Sequence, residues 1–322
     1  MRPAYSVSFM ARATYNLHAL NNEKSEGNKV LIRNVGLVVP SENSDEYELA
    51  KVNGISGNMF RYIYSGHLAN VAQDMSLKIS KACIQHHPER IWADTEFQDF
   101  LKDKPTTDEI YDQVLGCTVT DICGMMALDS SIQIKRHSML HAGWISGLPH
   151  ITKSEFHQFL RAEPNDQSLK PMPFTKTTAS GVYAIAVQAE IPRIGYNDKR
   201  QAYPNNEKIS VNRQGRFKAL LLALAYSVLQ PLGASLASQL PHVIGVEGLF
   251  IVSSLHTKAP LVSPLMNDYR MRAEKQRILI SQLFDQPESM TSYPFETGEE
   301  MLEQVLEIAN YFEPAKYYES DR

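Results

Sequence analysis

The sequence predicts an α+β fold: a split βαβ (ferredoxin-like) sheet that carries insertions. Residues 5–18 alternate between apolar and polar side chains, and residues 181–191 form the clearest other strand. Apolar residues recur at helical spacing in 57–71 and 215–229. Because strands are separated by single helices and no G-x-G-x-x-G repeats, we expect this sheet rather than a doubly wound parallel one.

The first strand is predicted to have one covered face. Odd-numbered apolar residues from Val7 to Ala13 form that face, and Arg12, Thr14 and Asn16 share the opposite one. The three polar side chains would form a ladder of hydrogen-bond donors, which favours a nucleic-acid backbone as ligand. The alternative for Arg12 is an arginine that faces solvent on an edge strand.

An asparagine-rich loop follows this strand. Asn21, Asn22 and Asn28 have two open interpretations, because asparagine adopts left-handed turn conformations and can also donate to phosphate. We keep both interpretations at this stage.

The next candidate site is the start of the helix at residue 57. Ser56 or Asn58 can cap the helix, and the free N–H groups there can bind an anion. Gly57 would give a ligand access to the backbone. Arg61, one turn later, would add guanidinium donors. We therefore expect Ser56, Gly57, Asn58 and Arg61 to contact RNA.

The rest of the chain is predicted to be one domain, 1–322, with two insertions and a tail. Residues 74–116 have the pattern of short helices and loops, and 119–128 are strand-like around Gly124. Residues 147–180 contain four prolines and are expected to be a mobile loop with one short helix, Lys153–Arg161. Residues 249–253 form a strand, 266–284 a charged helix, and 285–322 an acidic helical tail.

Composition indicates an ordinary globular protein, with 43% hydrophobic and 21% charged residues among 322. The three cysteines are too few for a disulfide scaffold and favour a reducing cytoplasm. No continuous apolar stretch follows Arg2, so we expect no signal peptide. The longest apolar run, 217–229, is shorter than the roughly 20 residues of a membrane span, so no membrane partner is predicted.

The net charge of −4 opposes a general nucleic-acid binder. The acidic residues are concentrated after residue 295, and the remainder is close to neutral, so a basic groove on a neutral body is permitted. Candidate basic clusters are Lys135-Arg136, Lys199-Arg200, Arg213/Arg216/Lys218 and Arg270/Arg272/Lys275/Arg277.

Motifs for catalysis are missing from the sequence. Neither G-x-S-x-G, a phosphate-binding P-loop nor H-E-x-x-H occurs, so we predict no enzyme and no cofactor. Cys83, His86 and His87 have metal-like spacing but lack the second ligand pair of a closed zinc site. Buried cysteines beside surface histidines are the favoured alternative, and metal binding by this trio stays open.

Short motifs in a fixed order resemble the Cas-seven family of the DevR type, the backbone subunits of type I CRISPR surveillance complexes (Cascade). They span about residues 5–270 and are Ala11-Arg-Ala, Leu20-Asn-Asn, Glu26-Gly-Asn28, Ile55-Ser-Gly-Asn-Met-Phe-Arg61, Asp121-Ile-Cys-Gly-Met-Met126, Ser180-Gly-Val-Tyr183, the helix Arg216–Leu224, Gly233-Ala-Ser235 with Leu240-Pro-His242, and Ala259-Pro-Leu-Val-Ser-Pro264.

The resemblance implies an RNA-recognition-like palm, a helical fingers insertion (74–116) and an extended thumb (147–180). It implies a non-catalytic subunit that polymerises head to tail along the guide RNA (crRNA) and holds it for pairing with target DNA. The implied partners are the crRNA, target DNA, copies of this chain and other Cascade subunits. Met172 or Phe174 in the thumb would stack on a base, and Lys135 and Arg136 are further candidate RNA contacts, although a solvent-facing role is favoured for both.

Two other functions are considered. Related backbone subunits of type III complexes cleave RNA with a loop aspartate, and Asp45 has a comparable place in this sequence. A solvated acidic loop is the favoured alternative there. A transcriptional autoregulator, as the branch's older name suggests, has no visible helix-turn-helix to support it.

Overall fold

The computed structural model describes residues 1–27, 29–40, 46–128, 132–161, 172–204, 209 and 211–317. The strands are β1 (Arg2–Ala4), β2 (Ser6–His18), β3 (Asn22–Glu26), β4 (Lys29–Ile32), β5 (Asn34–Pro40), β6 (Tyr47–Ile55), β7 (Met125–Leu128), β8 (Gln133–Arg136), β9 (Leu140–Ala142), β10 (Ile145–Gly147), β11 (Lys153–Arg161), β12 (Met172–Glu190), β13 (His242–Ser253), β14 (Met290–Phe295) and β15 (Phe312–Pro314). The helices are α1 (Gly57–Asp74), α2 (Lys81–Ile84), α3 (Thr95–Lys102), α4 (Thr107–Gly116), α5 (Thr118–Cys123), α6 (Arg213–Leu229), α7 (Tyr269–Leu283) and α8 (Gly298–Tyr311).

A large sheet organises these elements, so the predicted mixture of helix and strand is confirmed. Its main path runs β14-β13-β2-β12-β10-β6-β5, and the neighbours along that path are antiparallel. The first long strand, β2, is central because β12 and β13 pair with it along most of its length. None of the described helices is long and apolar enough to cross a membrane.

Both faces of β2 are covered, which corrects the expectation of one covered face. On one face Phe9 and Ala11 pack with α1 and α6 in the main core. On the other face Met10 packs with Ile251 and Tyr269 in a second core. The Ser8 hydroxyl donates to the Ala259 carbonyl at 2.9 Å, so the chain between β13 and α7 is held against this second face. Local alternation could not show that covering because the covering segment is about 250 residues away in sequence.

Two local predictions were wrong. Lys153–Arg161 is strand β11, which pairs residue by residue with the first half of β12, instead of a short helix in a loop. Its partner strand is supplied by long-range pairing, which overrides local propensity. Residues 118–123 are helix α5, and only 125–128 are strand. Gly124 ends the helix with φ +72°, a conformation that favours glycine.

Other local predictions agree with the structure, except that the range 285–322, predicted as a helical tail, also contains strand β14, which pairs with β13, and strand β15. Residues 74–116 contain α2, α3, α4 and a 3₁₀ turn at Arg90–Ala93, as expected for a helical insertion. The helix predicted at 57 begins at Gly57, and those predicted at 215–229 and 299–311 correspond to α6 and α8.

A buried ion cluster joins α5 and β8 to helix α6 of the main core. The Asp121 carboxylate on α5 accepts from Arg136 of β8 at 2.5 Å and from Arg216 of α6 at 2.6 Å. Gly195 N–H also donates to it at 3.0 Å, and Asp198 pairs with Arg136 at 2.9 Å. Arg136 is therefore fully buried, which corrects its assignment as an RNA contact. A buried charge is tolerated because it is paired and hydrogen-bonded.

Replacing Asp121 with asparagine should strongly destabilise the fold, because Arg136 and Arg216 would then lack most of their compensating charge. The expected loss is about 3–5 kcal/mol of unfolding free energy, measured by urea denaturation. Glu96→Gln removes one member of a solvent-exposed ion pair and is the control, which should leave the urea midpoint almost unchanged. Equal stability of Asp121→Asn and the wild type would show that this cluster does not hold the core.

Candidate nucleic-acid interface

Three segments that are distant in sequence meet at the start of α1. The Asn21 side-chain oxygen accepts from Ser56 N–H at 2.8 Å, so the asparagine loop is tied to the helix N-terminus. Ser56 in turn caps the helix, since its hydroxyl accepts from Met59 N–H at 3.2 Å. The capping role predicted for Ser56 is confirmed.

The third segment is 233–238. Ala234 N–H donates to the Leu20 carbonyl at 3.0 Å, and the Asn22 amide donates to the Ser235 hydroxyl at 3.1 Å. A Cβ on Gly233 would lie 2.6 Å from the Leu20 carbonyl oxygen, so this approach requires glycine. Segments 20–22, 55–61 and 233–238 form one surface, named here the α1 surface. The motifs Leu20-Asn-Asn, Ile55–Arg61 and Gly233-Ala-Ser are thus neighbours in space.

The asparagines of the loop have different environments. Asn21 uses both side-chain atoms within the protein, because its amide also donates to the Asn22 carbonyl at 3.1 Å. The Asn22 oxygen is buried without a partner among the described residues. Asn28 lies outside the described residues. The structural interpretation therefore holds for Asn21, and Asn22 is mostly enclosed.

Gly57 is required by packing. A Cβ at this position would lie 2.7 Å from the Ala142 carbonyl oxygen and 3.1 Å from that of Gly143. The first turn of α1 thus lies directly against the 142–143 backbone, and the glycine permits this contact. The backbone of residues 142–143 therefore occupies the side of Gly57 where the sequence predicted access for a ligand.

Asn58 and Arg61 line a cavity of about 220 Å³ between α1 and α2. The Asn58 side chain is exposed, and Arg61 is half-buried. One Arg61 nitrogen, Nη2, donates to the Cys123 carbonyl at 3.0 Å, while its Nε is buried without a partner among the described residues. These two residues keep hydrogen-bonding capacity that the protein itself does not use.

The predicted donor ladder on β2 is only partly available. Arg12 donates to the Pro264 and Met266 carbonyls at 2.8 and 3.1 Å and lies over the Tyr269 ring. It stabilises the segment before α7, which corrects the expectation of a free guanidinium. Asn16 borders an open groove near the end of β2 and the start of β13, together with Ser180 in the middle of β12 and His242. Lys135 is exposed on β8, unlike buried Arg136.

The β11–β12 hairpin carries exposed aromatic residues. Phe174 stacks on Phe159 with ring centroids 5.3 Å apart, and the Lys176 ammonium lies 6.0 Å from each ring. Phe156 is 64% exposed on the same strand as Phe159. The side chain of Met172 lies outside the described residues. Sequence reasoning missed Phe156 and Phe159 because their spacing of three suggested a helix.

The cysteines and histidines do not form a recognisable metal centre in the described part of the chain. The sulfurs of Cys83 and Cys117 are 3.5 Å apart in the interior, and Cys83 also contacts the Thr120 hydroxyl at 3.6 Å. His86 and His87 line the cavity beside α1, and Cys83 is also part of its lining. The buried-cysteine alternative describes this arrangement.

Comparisons with known proteins define the class. The family model "CRISPR-associated negative auto-regulator DevR/Csa2" matches residues 9–274, and the chain belongs to this family. The curated protein "CRISPR-associated protein Cas7/Csa2 1" of Saccharolobus solfataricus is 24% identical over 263 residues, which are 77% of this chain and 79% of that protein.

Solved structures are similar at lower identity. A chain of a "CRISPR RNA-guided surveillance complex, pre-nicking" is 12% identical and has a TM-score of 0.39, covering 76% of this chain and 78% of its own. A chain of a "CRISPR RNA-guided surveillance complex" is 10% identical and has a TM-score of 0.42, covering 89% and 87%.

Acid should weaken the structure near this surface through His18, the last residue of β2. Burial lowers the pKa of His18 from 6.5 to about 4, so the native state favours the neutral ring, which accepts from Leu20 N–H. The unfolded chain binds the proton first as pH falls. His18 should therefore contribute up to about 3 kcal/mol of stability above pH 6.5 that is lost between pH 6.5 and 4.

The measurement is the unfolding free energy of the wild type and His18→Asn across this pH range. Asparagine can keep an acceptor for Leu20 but does not titrate, so the variant should lack the His18 part of the pH dependence. Exposed His242→Asn is the control and should follow the wild type. Parallel curves for wild type and His18→Asn would contradict the assignment.

Proposed function

We propose that this protein is the guide-RNA-binding backbone subunit of a type I CRISPR surveillance complex and that it is not an enzyme. Family membership over residues 9–274 supports the assignment. The observation that carries it is the α1 surface, where three family-like motifs meet around exposed Asn58 and around Arg61 with an unused donor. The proposal includes a cytoplasmic location.

The chemistry of this surface suits a sugar–phosphate backbone. Amide and guanidinium donors hold phosphates in place without selecting a base, because sequence is read only at base edges. In a guide complex, base pairing with target DNA supplies the sequence discrimination. A subunit that holds the guide must therefore leave the base edges free. Asn21, Ser56 and Gly57 position the donors, and Asn58 and Arg61 contact the RNA.

In this proposal, different parts of the fold contact the RNA in different ways. The large sheet serves as an RNA-recognition-like palm, residues 74–116 as fingers and the β11–β12 hairpin as a thumb. Stacked Phe159 and Phe174 with Lys176 can take a base or separate two neighbouring bases, because every base has a face for stacking. Copies of the chain join head to tail through heterologous contacts, so the RNA length sets the filament length.

Single-stranded RNA should bind with little sequence preference and strong salt dependence. If each subunit holds about three phosphates, the slope of log affinity against log salt should be about −2 per subunit. Affinity is measured by fluorescence anisotropy, and particle mass should grow with RNA length. Absence of binding in low salt, or a slope near zero, would refute the proposal.

Asn58→Ala should weaken RNA binding several-fold but change the unfolding free energy by less than about 0.5 kcal/mol, because the side chain is exposed. Adding Arg61→Ala should weaken binding further and cost about 1 kcal/mol for the lost bond to Cys123. Asn70→Ala, another exposed asparagine on α1, is the matched control. Equal RNA affinity of Asn58→Ala and Asn70→Ala would remove Asn58 from the interface.

The non-catalytic part is tested by offering complementary RNA or DNA to the RNA-loaded protein with Mg²⁺. The target should be bound and recovered intact. The contrasting type III activity depends on Asp45, which lies outside the described residues. Regularly spaced, Mg²⁺-dependent cuts that disappear in Asp45→Ala would make the protein an RNA-cleaving backbone subunit instead.

A further inference from the structure

The cavity between α1 and α2 concentrates positive charge. Its lining includes two arginines and two histidines, and no aspartate or glutamate is among the residues that form it. These residues are Asn58, Arg61, Tyr62, Ser65, Cys83, His86, His87, Pro88, Arg90 and Val119. Arg90 and the two histidines come from the helical insertion, and neither the motifs nor the family comparison assigns them a role.

The two guanidinium groups are not neutralised by the described part of the protein. Among the described residues, no carboxylate forms an ion pair with Arg61 or Arg90. The fully buried arginines do have such partners, because Arg136 and Arg216 pair with Asp121. The half-buried Arg213 instead donates to the carbonyls of Ile194 and Ala315. Arg61 and Arg90 are also half-buried and lack a carboxylate partner among the described residues, so the cavity can accept an anion beside two uncompensated cations.

The donors and dimensions restrict which anion can enter. Arg61 has a buried Nε–H without a partner among the described residues, and the Asn58 amide is at the same cavity. The volume of about 220 Å³ is below the roughly 300–1,000 Å³ of pockets for drug-sized ligands. Arginine presents several N–H donors in one plane, a geometry that matches the oxygens of a phosphate.

We propose that this cavity is a binding site for a single phosphate group, with Arg61 and Arg90 as the main ligands and His86 and His87 at the same cavity. The site itself depends only on the geometry of the cavity, but its assignment to guide RNA rests on the proposed function. In that case one backbone phosphate enters the cavity, and the fingers insertion contributes Arg90 to RNA binding. The other source of the same chemistry is free phosphate.

The experiment measures binding of inorganic phosphate to the full chain by ³¹P NMR titration and of a fluorescent single-stranded RNA by anisotropy. Arg90→Gln removes one charge at a side chain that forms no hydrogen bond with the described residues, and it should weaken phosphate binding by about tenfold or more. His87→Glu, at an exposed position, introduces a carboxylate and should have the same effect without depending on the Arg90 variant. Lys275→Gln, exposed on α7, removes one charge elsewhere and should bind phosphate like the wild type.

Weaker binding of both phosphate and RNA by Arg90→Gln would support the site and identify RNA as its ligand. Weaker phosphate binding with unchanged RNA affinity would support a free-phosphate site separate from the RNA path. The proposal is overturned if the wild type shows no saturable phosphate binding, or if Arg90→Gln and His87→Glu bind phosphate as Lys275→Gln does. If the wild type binds phosphate but not RNA, the phosphate site stands and the proposed function is contradicted. The phosphate titration tests the cavity without RNA, so the two failures can be told apart.

Discussion

The pairing of Asp121 with Arg136 and Arg216 is the interaction on which the arrangement of this molecule depends. Three charged side chains are removed from water, and each is tolerable only when the others are in place. Because they come from α5, β8 and α6, the ion cluster fixes the position of α5 and β8 relative to α6 in the main core. The carbonyl of Cys123, two residues after Asp121 on α5, accepts a hydrogen bond from Arg61. The position of Arg61 is thus linked to the ion cluster through α5.

The same principle explains how the α1 surface is built. Most polar residues there bond to other parts of the protein: Asn21 holds Ser56, Asn22 holds Ser235, and Gly57 and Gly233 permit close backbone contact. Among the described residues of this surface, the exposed Asn58 amide and the buried Nε–H of Arg61 remain without a partner inside the protein. The motif residues of this chain therefore include many that position the α1 surface and few whose donors remain unused. Under the proposed function, these few donors are the ones that would hold backbone phosphates.

The sequence predicted those features that depend on neighbours along the chain. Periodicity identified β2, α1, α6 and α8, and the capping preference of serine identified Ser56 as the start of α1. Prediction from the sequence failed where a residue's bonding partner is distant along the chain. Arg12 and Arg136 were expected to be free cations, but their acceptors at 264–267 and at Asp121 are supplied by chain folding. The β11–β12 hairpin was missed for the same reason, since a strand with exposed aromatics has no local signal for its partner.

The central claim is that RNA lies on the α1 surface, and photo-crosslinking tests it most directly. The protein is loaded with RNA containing 4-thiouridine, irradiated, digested and analysed by mass spectrometry to locate the linked residues. We expect crosslinks in 55–61 and 233–238, with further crosslinks in the β11–β12 hairpin. Crosslinks confined to α7 and α8, with none in 55–61, would contradict it.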